Sequence, residues 1–322
     1  MIPKKIMLWL LPLLAIAAFV LIMMKGHGED KTVAWQHDEG FIFGTVYNIT
    51  YHHSENLQAE IEAELMKVDR EFSMFNSEST VARINRGDSL VERSEMFNEV
   101  YNLAMKVNAD TQGAFDITVA PLVNAWGFGF KHEQMPTPEQ VDSLLQIHSQ
   151  LDFAAIAKGY GCDVVASLLE SRGINDYMVE IGGEIAIHGT NHKAEPWRVG
   201  VNKPVEDSLS VSGELQAVLK LTDVCLATSG NYRNFYYKGG RKYAHTIDPR
   251  TGYPVQHEVL SATVLSEDCA TADAYATAFM VLGLDSTRSL LARHPELKAY
   301  LIYTDQDDDY AVWHSPGLDI EK

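Results

Sequence analysis

The sequence predicts an α+β protein, and three observations lead there. Apolar residues recur at both periods, alternating in some stretches and spaced by three and four in others. The two kinds of segment are mixed without a regular strand–helix–strand alternation, which argues against a doubly wound parallel sheet. No internal repeat or low-complexity tract suggests a solenoid or a disordered chain.

Taken in order, Phe41–Tyr51 alternates and is rich in β-branched and aromatic residues, so it reads as a strand, with Gly44 marking a bulge or a close backbone approach. Leu57–Phe72 places Ile61, Leu65 and Val68 at helical spacing with charges between them, and Glu95–Thr111 reads as a second helix ending before Gly113. Leu151–Ile156 is a short apolar strand that turns at Lys158–Gly161, and a helix runs from about Cys162 to Ser171 before Gly173. Tyr177–His188 is a strand interrupted by Gly182-Gly183. Trp197–Val201, Ala217–Leu221 and Leu226–Thr228 are further strands. Tyr243–Ile247 leads into the turn Asp248-Pro-Arg-Thr-Gly252. From Ser261 an alternating strand enters an Ala-rich helix pair, Asp273–Leu282 and Ser286–Arg293. Lys298–Thr304 and Ala311–His314 close the fold as strands.

Length and composition narrow the function classes. At 322 residues the chain forms one large or two ordinary domains, and 46% hydrophobic with 22% charged residues is a globular balance. The formal net charge of −18 argues against a nucleic-acid partner, since no basic patch offsets it. Part of the surplus is local, in Asp305-Gln-Asp-Asp-Asp309. An acidic protein that handles a phosphate ester needs a metal, a Lys or a helix N-terminus to offset the repulsion. Cys162, Cys225 and Cys269 are scattered and odd in number, so they read as small buried hydrophobes.

After Lys4-Lys5, the 19 residues Ile6–Met24 carry no charge, close to the roughly 20 needed to span a bilayer. The two lysines place the N-terminus on the cytoplasmic side and send the rest of the chain out. An uncleaved anchor is the expected reading. The alternative is a cleaved signal peptide, but no small-x-small site follows cleanly before Lys25. The expected organisation is then residues 1–24 as anchor or signal, 25–37 as a polar linker and 38–322 as the folded domain.

Several segments could carry chemistry. Asp273 and Thr277 lie four residues apart on the Ala-rich helix, so both oxygens share one face and suit Mg²⁺, which takes one or two carboxylates and leaves positions to water and phosphate. An ordinary polar helix face has the same pattern. Asp116, inside the apolar run Gly113-Ala-Phe-Asp-Ile-Thr-Val119, is either a turn residue satisfied by backbone amides or an acceptor in a ligand pocket. Lys158-Gly159 at a helix start combines a cation with backbone N–H groups, a natural phosphate site, though neither a Walker nor a dinucleotide fingerprint is present. Ala227-Thr-Ser-Gly-Asn-Tyr-Arg233 packs hydroxyls beside an Arg. Shortly after it, His245 precedes a rigid Pro/Gly turn, well placed as a base or a phosphate-positioning group.

These segments together resemble the ApbE-type FAD:protein FMN transferases. The family's successive motifs are matched by Phe43-Gly-Thr45, Ser73-Met-Phe-Asn-Ser-Glu-Ser79 with Ile84-Asn85, Gly113-Ala-Phe-Asp116, Asp152 to Lys158-Gly159, Gly182-Gly183, Ala227-Thr-Ser-Gly230, His245 to Gly252 and Ala272-Asp-Ala-Tyr-Ala-Thr277. They occur in the family's order from about residue 40 to the C-terminus. The resemblance implies an α+β fold related to the tunnelling fold and an exported enzyme using FAD and Mg²⁺. It puts the metal ligands on Asp273, Thr277 and the backbone carbonyls of Ala155 and Ala276. FAD contacts fall on Phe43, Phe75, Ala114, Phe115, Asp116, Asp152, Lys158 and Ile247, and His245 matches the histidine beside the reacting phosphate. Phe43 and Phe75 replace the family's usual Met and Tyr; both keep an apolar face for stacking on a ring.

The implied reaction attaches FMN to a Thr or Ser hydroxyl of an acceptor protein and releases AMP. With water in place of that hydroxyl the same site is a Mg²⁺-dependent FAD pyrophosphatase, and without turnover it is a membrane-tethered flavin-binding protein. The resemblance also implies an acceptor among the subunits of membrane redox complexes, on the periplasmic side of the inner membrane.

Overall fold

The computed structural model describes residues 33–129, 135–147, 150–204, 214–231, 235–238, 240–307 and 309–321. Its centre is an eight-stranded antiparallel sheet in the order β1-β2-β3-β4-β7-β10-β11-β12. These strands are β1 (Ala34–Ile42), β2 (Thr45–His53), β3 (Tyr177–Ile181), β4 (Glu184–His188), β7 (Val224–Gly230), β10 (Val259–Ser266), β11 (Lys298–Thr304) and β12 (Tyr310–His314). A three-stranded sheet joins β5 (Trp197–Asn202), β6 (Leu215–Leu221) and β13 (Ile320–Glu321), and a separate hairpin pairs β8 (Phe235–Lys238) with β9 (Arg241–Ala244). The helices are α1 (Gln58–Phe72), α2 (Thr80–Asn85), α3 (Glu95–Asp110), α4 (Ala120–Ala125), α5 (Pro138–Leu144), α6 (Ala157–Ser171) and α7 (Cys269–Leu291).

Strand alternation divides the core between the two faces of the large sheet. On β4, Ala186 packs with Ile61, Leu65, Val165 and Leu169 of α1 and α6. Its neighbours Ile185 and Ile187 point the other way, against Trp197, Val199 and Leu219 of the small sheet. The helical side continues into a third cluster where Phe72, Phe97, Phe153 and Phe279 meet. The rings of Phe72 and Phe153 are 5.0 Å apart and those of Phe97 and Phe153 5.4 Å. Ala270, Ala272, Ala274, Ala276 and Ala278 are all at most 1% exposed, so the first half of α7 is buried on nearly every side, while Asp285, Ser286, Arg288 and Ser289 face solvent in the second.

Several local expectations are corrected. The stretch Phe41–Tyr51 is the end of one strand and most of the next, joined by a two-residue turn at Phe43-Gly44 with Ile42 opposite Thr45. Both turn residues have positive φ, 52° and 77°, the requirement of a tight hairpin turn whose twist matches its strands. Glycine meets that requirement freely, whereas a phenylalanine there is strained. β1 also begins at Ala34, so Ala34–His37 of the expected linker pair with Thr50–His53. Second, Leu151–Ile156 is not a strand. Asn85 takes the place of a neighbouring strand, donating from Nδ2 to the Leu151 carbonyl (2.8 Å) and accepting the Leu151 N–H at Oδ1 (2.7 Å).

Third, α6 starts at Ala157, so Lys158–Gly161 form its first turns instead of preceding it. Two glycines make this a poor helix start by propensity. Packing accounts for them: a Cβ on Gly159 would stand 2.3 Å from the Cys269 carbonyl oxygen, and one on Gly161 2.7 Å from the Phe43 ring. The expected helix pair is present: α7 is two helices joined across a kink at the non-helical Gly283 (φ 74°, ψ 179°), the first of them beginning earlier, at Cys269. The expected anchor, residues 1–24, lies outside the described residues. Among the described residues no helix is long and apolar enough to cross a membrane.

Candidate active site

Where α6 starts against α7, three charged side chains meet. Lys158 Nζ lies 2.8 Å from Glu184 Oε1 and 3.7 Å from Asp273 Oδ2. Both carboxylates are buried, with side chains 4% and 3% exposed, while the lysine is 28% exposed. Asp273 Oδ2 also accepts the Gly159 N–H at 3.1 Å. That N–H belongs to the first turn of α6, which has no partner inside its own helix, so Asp273 caps α6 from across the helix–helix contact. In a longer helix the same N–H would bond the Ala155 carbonyl four residues back; here it leaves that carbonyl to other partners.

Electrostatics follow from burial. Desolvation pushes the Glu184 carboxyl up to about 7 against the opposing pull of Lys158. Burial likewise raises the Asp273 carboxyl, opposed by Lys158 and the Gly159 N–H. For Lys158 burial alone would depress the ammonium, but the charges of Asp273 and Glu184 outweigh it and hold it above its ordinary value. Two carboxylates thus face one ammonium. Among the described residues Glu184 Oε2 is also buried with no hydrogen-bond partner. Among the described residues no three His, Cys, Asp or Glu side chains group as a metal cage. Hard oxygen donors around one aspartate suit Mg²⁺, which keeps waters and phosphate as ligands, and do not suit a zinc-type site.

One turn beyond Asp273, the Thr277 hydroxyl is 3.2 Å from Ser229 Oγ at the end of β7. Two residues further along, Asn231 Oδ1 accepts the Thr246 hydroxyl at 2.6 Å, and the Asn231 N–H donates to the Leu260 carbonyl at 3.0 Å. Thr246 follows His245, so the histidine is brought to the same end of β7 as Thr277. His245 is half-buried, its ring edge-on to Phe128 with centroids 6.4 Å apart.

Some of the expected flavin contacts lie near one another and others do not. The Asp152 N–H donates to the Ile117 carbonyl at 2.7 Å, which places Asp152 beside the Gly113–Asp116 turn. Burial raises the Asp152 carboxyl, opposed by the Ala154 N–H it accepts. Asp116 Oδ1 accepts both the Thr118 N–H (2.7 Å) and its hydroxyl (2.8 Å), a turn-type pairing. Ala114 and Phe115 are 1% and 2% exposed, and the Phe115 ring packs in the main core. The Asp248–Gly252 turn sits over this segment: a Cβ on Gly113 would lie 3.5 Å from Arg250 Cγ, and Trp126 Nε1 donates to the Gly252 carbonyl at 2.7 Å. Ile247 is buried with Leu122, Trp126 and Val141. Phe43 packs against α6 at Gly161, whereas Phe75 is 82% exposed in the loop between α1 and α2. Ala276 is fully buried inside α7.

The chain as a whole is similar to known proteins. Residues 43–301 match the ApbE family. The chain belongs to the ApbE family. An FAD:protein FMN transferase of Vibrio cholerae serotype O1 is 38% identical to it, over 95% of this chain and 97% of its own length. The FAD:protein FMN transferase of Escherichia coli K12 is 33% identical over 91% and 89%. A solved flavin transferase ApbE from Vibrio cholerae aligns with a TM-score of 0.78 at 33% identity, covering 88% of this chain and 98% of that one. The α+β expectation holds for the whole described domain.

Two residues escaped the sequence reading of this family member. Glu184 had a signal, an acid opening a strand of otherwise apolar alternation immediately after Gly182-Gly183. Asp163 had none: an aspartate in the first turn of the expected helix reads as an ordinary acid at a helix start. It is buried enough that its carboxyl is pushed up to about 7, and it accepts the N–H groups of Cys269 (2.7 Å) and Ala270 (2.8 Å), capping α7. The three thiols surround this cap, all buried and unpaired as expected. A denatured, unreduced sample should therefore titrate three free thiols, and a count of one would reveal a disulfide.

Proposed function

We propose that this chain transfers the FMN part of FAD to a Thr or Ser hydroxyl of an acceptor protein and releases AMP, with Mg²⁺ held by Asp273, Thr277 and the carbonyls of Ala155 and Ala276. The chain is a transferase of the FAD:protein FMN transferase type. The observation that carries the finer reading is the buried Lys158–Glu184–Asp273 cluster, two carboxylates to one ammonium at a helix start. When bound, Mg²⁺ supplies charge neutralisation to the pyrophosphate.

The chain's own residues do the rest. In the transfer the acceptor oxygen bonds to the FMN phosphorus as the bond to the AMP oxygen breaks. His245 orients the hydroxyl and takes its proton. Lys158 presents its ammonium to the pyrophosphate from the first turn of α6. Asp116, Asp152, Ala114, Phe115 and Ile247 shape the flavin nucleotide site, with Phe43 and Phe75 as stacking faces. Such phosphoryl-type transfers depend on positioning and charge neutralisation more than on covalent work by the enzyme. Treating the protein with a chelator should abolish AMP release from FAD and added Mg²⁺ should restore it; release that persists in chelator contradicts the metal assignment.

The acceptor proposed is a subunit of a membrane redox complex, met on the periplasmic side of the inner membrane, with Ile6–Met24 as an uncleaved anchor. The mature protein should then begin at or near Met1 and sediment with membranes. An N-terminus beginning after residue 24 would show a cleaved signal instead.

A further inference from the structure

We propose that Glu184 is a positioning residue that holds the Lys158 ammonium off Asp273, leaving the aspartate to the divalent cation. The inference rests on the Mg²⁺ reading above. Its basis is an asymmetry: the ammonium stands 2.8 Å from Glu184 Oε1 but 3.7 Å from Asp273 Oδ2. Lys158 is therefore in full contact with the carboxylate that is not expected to bind metal, and stands back from the one that is.

The backbone fixes Glu184 for this task. It opens β4 directly after Gly182 and Gly183, both at positive φ (66° and 107°). The Gly182 N–H donates to the Val46 carbonyl at 3.0 Å, and a Cβ on Gly182 would stand 2.8 Å from Thr45 Cγ2, so the turn is locked against β2. The Cys162 thiol donates to the Glu184 carbonyl at 3.3 Å, tying the residue to α6, the helix that carries Lys158. A buried carboxylate with one oxygen unpartnered among the described residues is costly, and Lys158 holds its other oxygen.

Without the Glu184 charge, Asp273 is the carboxylate left within ion-pair reach of Lys158 among the described residues. The ammonium then closes onto Asp273 and competes with the cation. Closing that gap to ordinary contact at an effective dielectric near 20 corresponds to about a tenfold loss of cation affinity. A lysine that competes predicts a specific pattern across a double-mutant cycle, because removing Lys158 also removes the need for Glu184.

The test is a Mn²⁺ titration of metal-stripped full-length protein, reading free Mn²⁺ by electron paramagnetic resonance, with thermal melts to confirm folding. Glu184→Gln should bind Mn²⁺ about tenfold more weakly than the parent. Lys158→Met should bind at least as tightly as the parent, and the double variant should match Lys158→Met within about twofold. Unchanged affinity in Glu184→Gln overturns the proposal. So does an equal loss in both backgrounds, which would make Glu184 a ligand in its own right, and so does weaker binding in Lys158→Met, which remains readable if Glu184→Gln fails to fold. If Asp273→Ala binds Mn²⁺ as the parent does, the metal assignment itself fails and this proposal falls with it.

Discussion

Replacing His245 with Ala is expected to slow FMN transfer by about a hundred- to ten-thousandfold, the usual contribution of a general base, while FAD binding stays close to that of the parent. The reason lies in what the residue meets and when. His245 reaches the site beside Thr246, whose hydroxyl is anchored to Asn231 at the end of β7, two residues from the Ser229–Thr277 contact. In the proposed role it takes a proton that moves only during transfer. An interaction made only in the transition state lowers turnover without weakening substrate affinity. Lys158→Ala should show the opposite balance, with weaker FAD retention and a smaller loss at saturating FAD. A His245→Ala protein that loses FAD binding but keeps its rate at saturation would make the histidine a binding residue.

Asp273→Ala should abolish cation-dependent turnover with the fold retained. Its carboxylate is the formal charge of the proposed metal site, and it carries a structural duty as well. Removing it leaves the Gly159 N–H without its 3.1 Å acceptor, which costs on the order of 1–3 kcal/mol for a buried donor. Asp273→Asn separates the two duties, since the amide oxygen can still accept that N–H while the charge is gone. Both variants should therefore be inactive in AMP release, with Asn nearer the parent in thermal stability. Cation binding by the parent should also strengthen as pH rises, because the Asp273 carboxyl is raised by burial and must lose its proton to a metal. Unchanged activity in Asp273→Ala sinks the metal assignment.

The sequence made the long, strongly periodic elements legible: α1, α3, the Gly283 break in α7 and the closing strands all lie where periodicity puts them. It misplaced elements whose local rule is broken for packing. Glycines at 159 and 161 look like a turn, yet they open α6 because only hydrogen fits against Cys269 and Phe43. Phe43 looks like a strand residue, yet it holds a turn at φ 52°. Leu151 looks like part of a strand, yet a single side chain, Asn85, satisfies both its backbone groups.

The candidate site was legible in its residue types rather than its wiring. Spacing put Asp273 and Thr277 on one face, and context marked Lys158 and His245. What no spacing encodes is a pairing between residues far apart in the chain. Lys158 with Glu184, Gly159 with Asp273 and Asp163 with the start of α7 are all tertiary contacts. The sequence therefore named the donors of the proposed metal site but not the carboxylate that holds the lysine beside it.

Attachment of FMN from FAD to a protein is read out by incubating the full-length enzyme with FAD, Mg²⁺ and a co-purified acceptor, then measuring the acceptor's intact mass and the AMP released. One FMN fixed on a Thr or Ser of the acceptor is expected for each AMP formed, as protein flavinylation requires. Free FMN and AMP with an unmodified acceptor, or FAD returned unchanged, would contradict it.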